Sequence, residues 1–305
     1  MDILGSLFTI SLVALLGALS RKIELFDRQQ IKVLSAFIYY FGLPSLFFSS
    51  LAGTDFRALD PALLLGSLSP ILLLLAIFSL LRVAGLLTKE NFILASLSIS
   101  FGSYAFFGVA FFETLQGGKF LPMIMVTASL LGMSGIIISL TLFEYGRQAG
   151  LSLLFLKKIV INPLIIAIAL GTFCSLSGLH LPPLEDALTL LGKTSGGMAI
   201  FVLGMFIYDN FSPSSVREAL VYSLVRTITL PLITIIYITL APGNDPQTDI
   251  FLVLQSGIPA AISLAVFAER YNYQLSVVSG LVILTSILSV GELFLLSVLV
   301  GFVVG

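Results

Sequence analysis

Charge is what this sequence has least of. Lys, Arg, Asp and Glu make up 10% of its 305 residues, against about 25% in soluble domains, and that deficit excludes a water-facing surface over most of the chain. Histidine occurs once, as His180 in the loop "GLHLPP". No pair of histidines is therefore on hand for a metal, and any serine nucleophile would have to find its base in a loop. Cysteine also occurs once, as Cys174, which excludes an internal disulfide. No GxxxxGK[ST] phosphate loop is present, so the chain is not expected to drive a process by hydrolysing ATP itself. Asp209, Asp245 and Asp249 all lie in polar breaks, which leaves an intramembrane aspartyl protease without its parts. The formal net charge is −1 and carries no nucleic-acid signal. The inventory points to no cofactor, no metal and no enzymatic activity.

What is abundant is apolar sequence. Hydrophobic residues reach 58%, above the roughly 45–50% of ordinary domains. They are gathered in runs of the length, about 20 residues, that crosses a hydrocarbon core of about 30 Å. Ten such runs are expected: Ile3–Ser20, Lys32–Leu51, Pro61–Val83, Asn91–Leu115, Phe120–Phe143, Ile159–Leu179, Ala187–Tyr208, Val216–Ala241, Ile250–Glu269 and Leu275–Val304. Short polar stretches such as "RKIELFDRQQ" and "APGNDPQTD" separate them, and none is long enough for a soluble domain. Only Met1 and Asp2 precede the first run, so it reads as a retained helix rather than a cleaved signal.

The basic residues are distributed asymmetrically. Arg21, Lys22, Arg28, Lys32, Arg82, Lys89, Arg147, Lys157, Lys158, Arg217 and Arg270 fall on one side of the expected topology, and only Arg57 and Lys119 on the other. Basic loops resist translocation, so both termini are expected away from the cytoplasm, in a multi-pass protein of the plasma (inner) membrane whose immediate partner is the lipid bilayer.

Sliding the first half of the chain onto the second by about 153 residues superimposes runs one, three, four and five on six, eight, nine and ten. Each half, 1–150 and 151–305, holds an odd number of runs, so the second enters the membrane from the opposite side; this is the inverted repeat of secondary transporters. The shift also places Ser256 of "QSGIPAA" on Ser103 of "SFGSYAFFGVAFFE". Pro259 and Gly257 should break the first of these segments, Gly102 and Gly108 the second. Irregular backbone at membrane depth is tolerated only where protein or a water-filled cavity satisfies it, so matched breaks point to a binding site. Pro259 is expected to start a new half-helix with its N–H groups, from Ala260 onward, aimed at the break, while the half-helix before it offers carbonyls around Val253–Gln255. The first end suits an anion, and the second a cation or a substrate hydroxyl. Kinking alone is the structural alternative, because glycine and proline are common in membrane helices.

The stretches "GLPSLFFSSLAGTDF", "INPLIIAIALGTFCSLSGLHLPP", "LLGKTSGGMAIFVLGMFI" and "SGIPAAISLAVFAERY" followed by "VSGLVILTSILSV" resemble the auxin efflux carrier family over most of the chain. That family includes plant auxin exporters and bacterial carriers of malate or malonate. The resemblance implies an all-α membrane protein of ten helices in two inverted five-helix repeats, whose broken fourth and ninth helices cross at the substrate site. It implies Gly102, Ser103, Tyr104, Gly108, Gln255, Ser256, Gly257, Pro259 and Ala260 as substrate-binding candidates, a small organic anion as substrate, and is compatible with a homodimer. One departure stands out: where relatives carry a pattern like Asn-Thr-Gly-Phe-x-Gly-x-Pro, this chain reads "SYAFFGVA", with Ser103 in the place of the asparagine and Ala110 in that of the proline. The first break is therefore expected to rest on Gly102 and Gly108 alone, with one hydroxyl where an amide would offer both a donor and an acceptor.

Polar residues inside the runs complete the candidates, since a charge at the bilayer centre costs roughly 2.5–3.5 kcal/mol even on insertion scales. Arg226 and Glu292 fall near the middles of their runs. Two readings stand: a buried ion pair that fixes packing, or a counter-charge for an anion (Arg226) beside a protonatable coupling group (Glu292). Lys193 reads either as a snorkelling side chain or as a second counter-charge, with Thr194 and Ser195 beside it on a substrate path. Asn162, followed by Pro163, reads as a helix start or as a site residue. The expected function is secondary transport of a carboxylate or auxin-like anion by alternating access; a non-transporting sensor or scaffold is the alternative, and a channel a third reading.

Overall fold

The computed structural model describes residues 3–53, 61–115, 119–147, 157, 160–210, 213–240 and 245–304. Ala110 and Glu113 lie in a described helix, but their side chains fall outside the described set. Helices account for nearly all of the described chain, and no strand occurs among the described residues.

Each apolar run is helical. Helix α1 spans Ile3–Lys22; α2, Arg28–Phe37, continues through a π-helical turn at Ile38–Gly42 into α3, Leu43–Ala52; α4 spans Pro61–Val83. The fourth run is divided into α5, Lys89–Ser100, and, after a π-turn at Tyr104–Gly108, α6, Val109–Thr114. Then come α7 (Leu121–Arg147), α8 (Pro163–Ser177), α9 (Pro182–Asn210) and α10 (Pro213–Leu224), which passes through a π-turn at Val225–Thr229 into α11 (Leu230–Leu240). The ninth run is also divided, into α12 (Pro246–Ser256) and α13 (Ser263–Tyr271), and α14 closes the chain at Leu275–Val304. Six of these helical stretches are long and apolar enough to cross a membrane by length and composition.

Local chemistry explains the boundaries. Asp27 caps α2 in a reciprocal box with Gln30, Thr88 caps α5, and Asp245 caps α12 ahead of Pro246. The Thr248 hydroxyl and main-chain N–H hydrogen-bond the Asp245 carboxylate and hold its pKa below the usual range. Two of the π-turns are followed within two residues by a proline, Pro44 and Pro231, whose missing N–H and bulky ring disturb the pairing one turn back.

The packing is that of a lipid-facing protein. Leu15, Leu65, Leu80, Phe173, Leu232 and Phe294 all point outward and exposed, whereas Ser98, Thr127, Gln255, Arg226 and Thr285 are buried. Helix α1 lies against α9 at backbone distance, because Gly17 faces the Phe201 main chain and Gly204 the Ala14 carbonyl; a Cβ on either glycine would collide with main-chain atoms. At one end Asp209 forms ion pairs with Arg21 at 2.9 Å and Arg28 at 3.5 Å, which ties the first polar break to the end of α9.

Candidate functional site

The two divided helices meet at their interruptions. Phe101 leaves α5 in an extended conformation (φ −131°, ψ 106°), and Gly102 pairs with Ala260 as an antiparallel bridge. The Ser103 N–H donates to the Pro259 carbonyl at 2.8 Å, and the Ala261 N–H to the Phe101 carbonyl at 2.9 Å. Each break satisfies the other's main chain, as water-free surroundings require.

This arrangement corrects several expectations. Pro259 does not open the next helix: α13 begins four residues later, at Ser263, because Pro259–Ala261 pair with Phe101–Ser103. Gly108 is not part of the first break either; it ends the π-turn, its N–H bonded to the Ser103 carbonyl at 3.0 Å, so the break is confined to residues 101–103. Gly102 is required there by space: a Cβ would lie 2.6 Å from Cζ of Tyr104 and 2.8 Å from Nη2 of Arg226. The carbonyls expected to be open, Val253–Gln255, are taken locally by the Ser256 hydroxyl and the N–H groups of Gly257 and Ile258.

The main-chain donors past the break are only partly consumed. The Ala260 N–H donates to Thr285 Oγ1 on α14 at 3.1 Å, and Ala261 to Phe101. No acceptor for the Ile262 or Ser263 N–H occurs among the described residues, so the positive end of α13 starts with these two. Ser103 is buried, and its hydroxyl has no hydrogen-bond partner among the described residues. On the opposite side of the crossing, the Gln255 amide donates to Thr127 Oγ1 on α7 at 2.5 Å. Tyr104, Gln255 and Ser256 line, with Ser67 of α4 and Thr234 of α11, a cavity of about 10 Å³, room for a single water. Thr127 and Thr285 were not legible as site residues in the sequence; a lone threonine in a membrane helix carries no periodic or spacing signal.

Arg226 and Glu292 do not form the ion pair expected as one reading. Arg226, 1% exposed, sits on the π-turn between α10 and α11 and spends its guanidinium on main-chain carbonyls. Nη1 donates to Ser98 at 2.5 Å, while Nε and Nη2 donate to Ile258 at 3.1 and 2.6 Å. Glu292 on α14 is half-buried, with Oε1 enclosed and without a hydrogen bond, and feels Arg226 only through space.

The remaining candidates lie apart from the crossing. Asn162 caps α8, its side chain accepting the Leu164 N–H at 2.9 Å and donating to the Tyr39 hydroxyl at 2.6 Å. With Tyr39, Tyr40, Arg147, Lys157 and Arg270 it lines a cavity of about 770 Å³, in which Arg270 stacks over Tyr40 and Arg147 over Tyr271. Lys193 is exposed on α9; beside it the Thr194 hydroxyl turns back to Leu191, and Ser195 is buried against Gly42.

The comparisons with known proteins bear on this geometry. The sequence profile of a family described as "Membrane transport protein" matches residues 2–153 and matches a second time over 148–297. The chain belongs to that family. Its auxin-efflux-carrier resemblance is thereby a membership, and the protein is a membrane transport protein with several apolar helices. A relative from Methanothermobacter thermautotrophicus, described as an uncharacterized transporter, is 24% identical over 96% of this chain and 97% of its own length.

Proposed function

We propose that this member of the membrane transport protein family is a secondary transporter that moves a small organic anion, a carboxylate or auxin-like acid, by alternating access around the crossing of α5–α6 with α12–α13. The observation that carries the reading is the mutual pairing of Gly102 and Ala260, with the Ile262 and Ser263 N–H groups and the Ser103 hydroxyl left over beside it. A helix start with open N–H groups in a low-dielectric interior attracts negative charge. Ser103, Tyr104, Gln255 and Ser256 supply side-chain polarity, while Gly102, Gly257, Pro259 and Ala260 shape the backbone.

The repeated family match supports two five-helix halves related by inversion, and the divided run in each half supports the same reading. The cavity of about 10 Å³ beside Tyr104, Gln255 and Ser256 is too small for such an anion, so the proposed cycle includes a more open state. The anion reaches the crossing when one group of helices rocks against the other, and the basic cavity of about 770 Å³ lies on the side we assign to the cytoplasm of a plasma-membrane protein. Both termini then face outward.

The test is counterflow in proteoliposomes loaded with unlabelled mono- or dicarboxylates or indole acids. Saturable exchange of the labelled compound with the loaded one is the expected result. Binding without exchange identifies a sensor instead, and unsaturable flux a channel.

A further inference from the structure

We infer that Arg226 is a built-in cation: its guanidinium fills the place at the helix crossing where an inorganic coupling ion would otherwise bind, so that ligand binding at the crossing requires no sodium or potassium. The inference deepens the transport reading above and rests on it only for its meaning in flux.

The geometry is that of a cation among carbonyls. Ser98 lies in the last turn of α5, so its oxygen belongs to the negative end of that half-helix, and the Ile258 carbonyl lies just past the end of α12, beside the negative end of the other. Each such end carries roughly half an elementary negative charge, and two of them face a common point deep in the protein. In transporters built on broken helices, carbonyls in these positions are the usual ligands of a coupling cation. Here that point is occupied by the guanidinium, at 2.5 Å from one oxygen and 2.6 Å from the other.

Besides these carbonyls, the neutral Tyr104 hydroxyl is the side-chain partner of Arg226. The Ser98 hydroxyl turns back to Ala95 and the Ser100 hydroxyl to Leu97, which leaves the Ser98 carbonyl to the arginine. No carboxylate lies within 4.0 Å of Arg226 among the described residues, so its close acceptors are the two carbonyls, with Glu292 acting only through space. The guanidinium is tethered to the chain, so unlike a bound ion it cannot be released during a transport cycle. The π-turn that carries Arg226 places the guanidinium against Gly102, where any larger residue would displace it.

The test follows thermal unfolding of the detergent-purified protein at constant ionic strength in sodium, potassium, choline or dilute guanidinium chloride. The wild-type midpoint should be the same in all four. Arg226→Ala should unfold at a lower temperature and regain a saturable upward shift with guanidinium, with a smaller one from sodium. Arg226→Lys, which keeps a charge, should remain indifferent to sodium and decides the matter if the alanine variant does not accumulate. A saturable sodium or potassium shift in the wild type overturns the inference, as does an alanine variant indifferent to every cation. Flux separates the two claims: thermal results as expected with no carboxylate exchanged would sink transport and leave the built-in cation standing, whereas exchange that needs sodium would do the reverse.

Discussion

At the scale of single residues, what decides the site is which polar atoms find partners at depth. Gly102 has room for hydrogen alone, so Gly102→Ala should lower stability by about 1–3 kcal/mol through overpacking against Tyr104 and Arg226. The shift should be seen in denaturant unfolding and should be partly relieved when Tyr104→Ala is added. Asn162→Ala removes a helix cap and one of the partners of the Tyr39 hydroxyl, which keeps Tyr271; about 0.5–2 kcal/mol for the cap alone should appear as faster hydrogen exchange at the start of α8. Residues of this kind were unevenly legible. Asn162 before Pro163 is a local capping signal and was readable as a helix start. Arg226 was readable as a residue that needs buried partners, because a charge in an apolar run needs a reason, but the partners themselves were not: Ser98 lies 128 residues away and Ile258 32, and main-chain acceptors leave no mark in side-chain sequence.

At the scale of elements, the second interruption was plain in the sequence, and its exact form was not. Gly257 and Pro259 announce a break by local sterics alone, whereas the pairing of Pro259–Ala261 exists because another segment supplies hydrogen-bond partners. That is why α13 begins later than proline chemistry alone implies. Restoring an N–H at this point with Pro259→Ala should let helical pairing invade the crossing. We expect membrane yield to hold while counterflow falls about tenfold or more, equivalent to at least ~1.4 kcal/mol in the barrier. The start of α12 responds to acid instead. The Asp245 pKa is lowered in the folded state, so its cap stabilises the helix above the unfolded carboxylate pKa and is lost as pH falls through the lower folded value. Asp245→Asn, which still caps, should flatten that acid dependence, as hydrogen exchange at residues 247–249 against pH would show.

At the scale of the whole molecule, hydropathy located the helices well because lipid leaves the chain few choices: the third run, Pro61–Val83, and the last, Leu275–Val304, coincide with α4 and α14. The sidedness that we propose can be read out chemically. The only cysteine, Cys174, is buried, so the protein offers a quiet background for thiol labelling. A membrane-impermeant maleimide should reach Gln29→Cys only from the cytoplasmic side and His180→Cys only from the opposite side; labelling of both from one side would overturn the assignment. Finally, the reciprocal bonds between residues 101–103 and 259–261 mean that neither half of the polypeptide can finish its own backbone in oil. A gene cut between the halves should therefore yield two fragments that are each degraded when made alone and that rescue one another when made together.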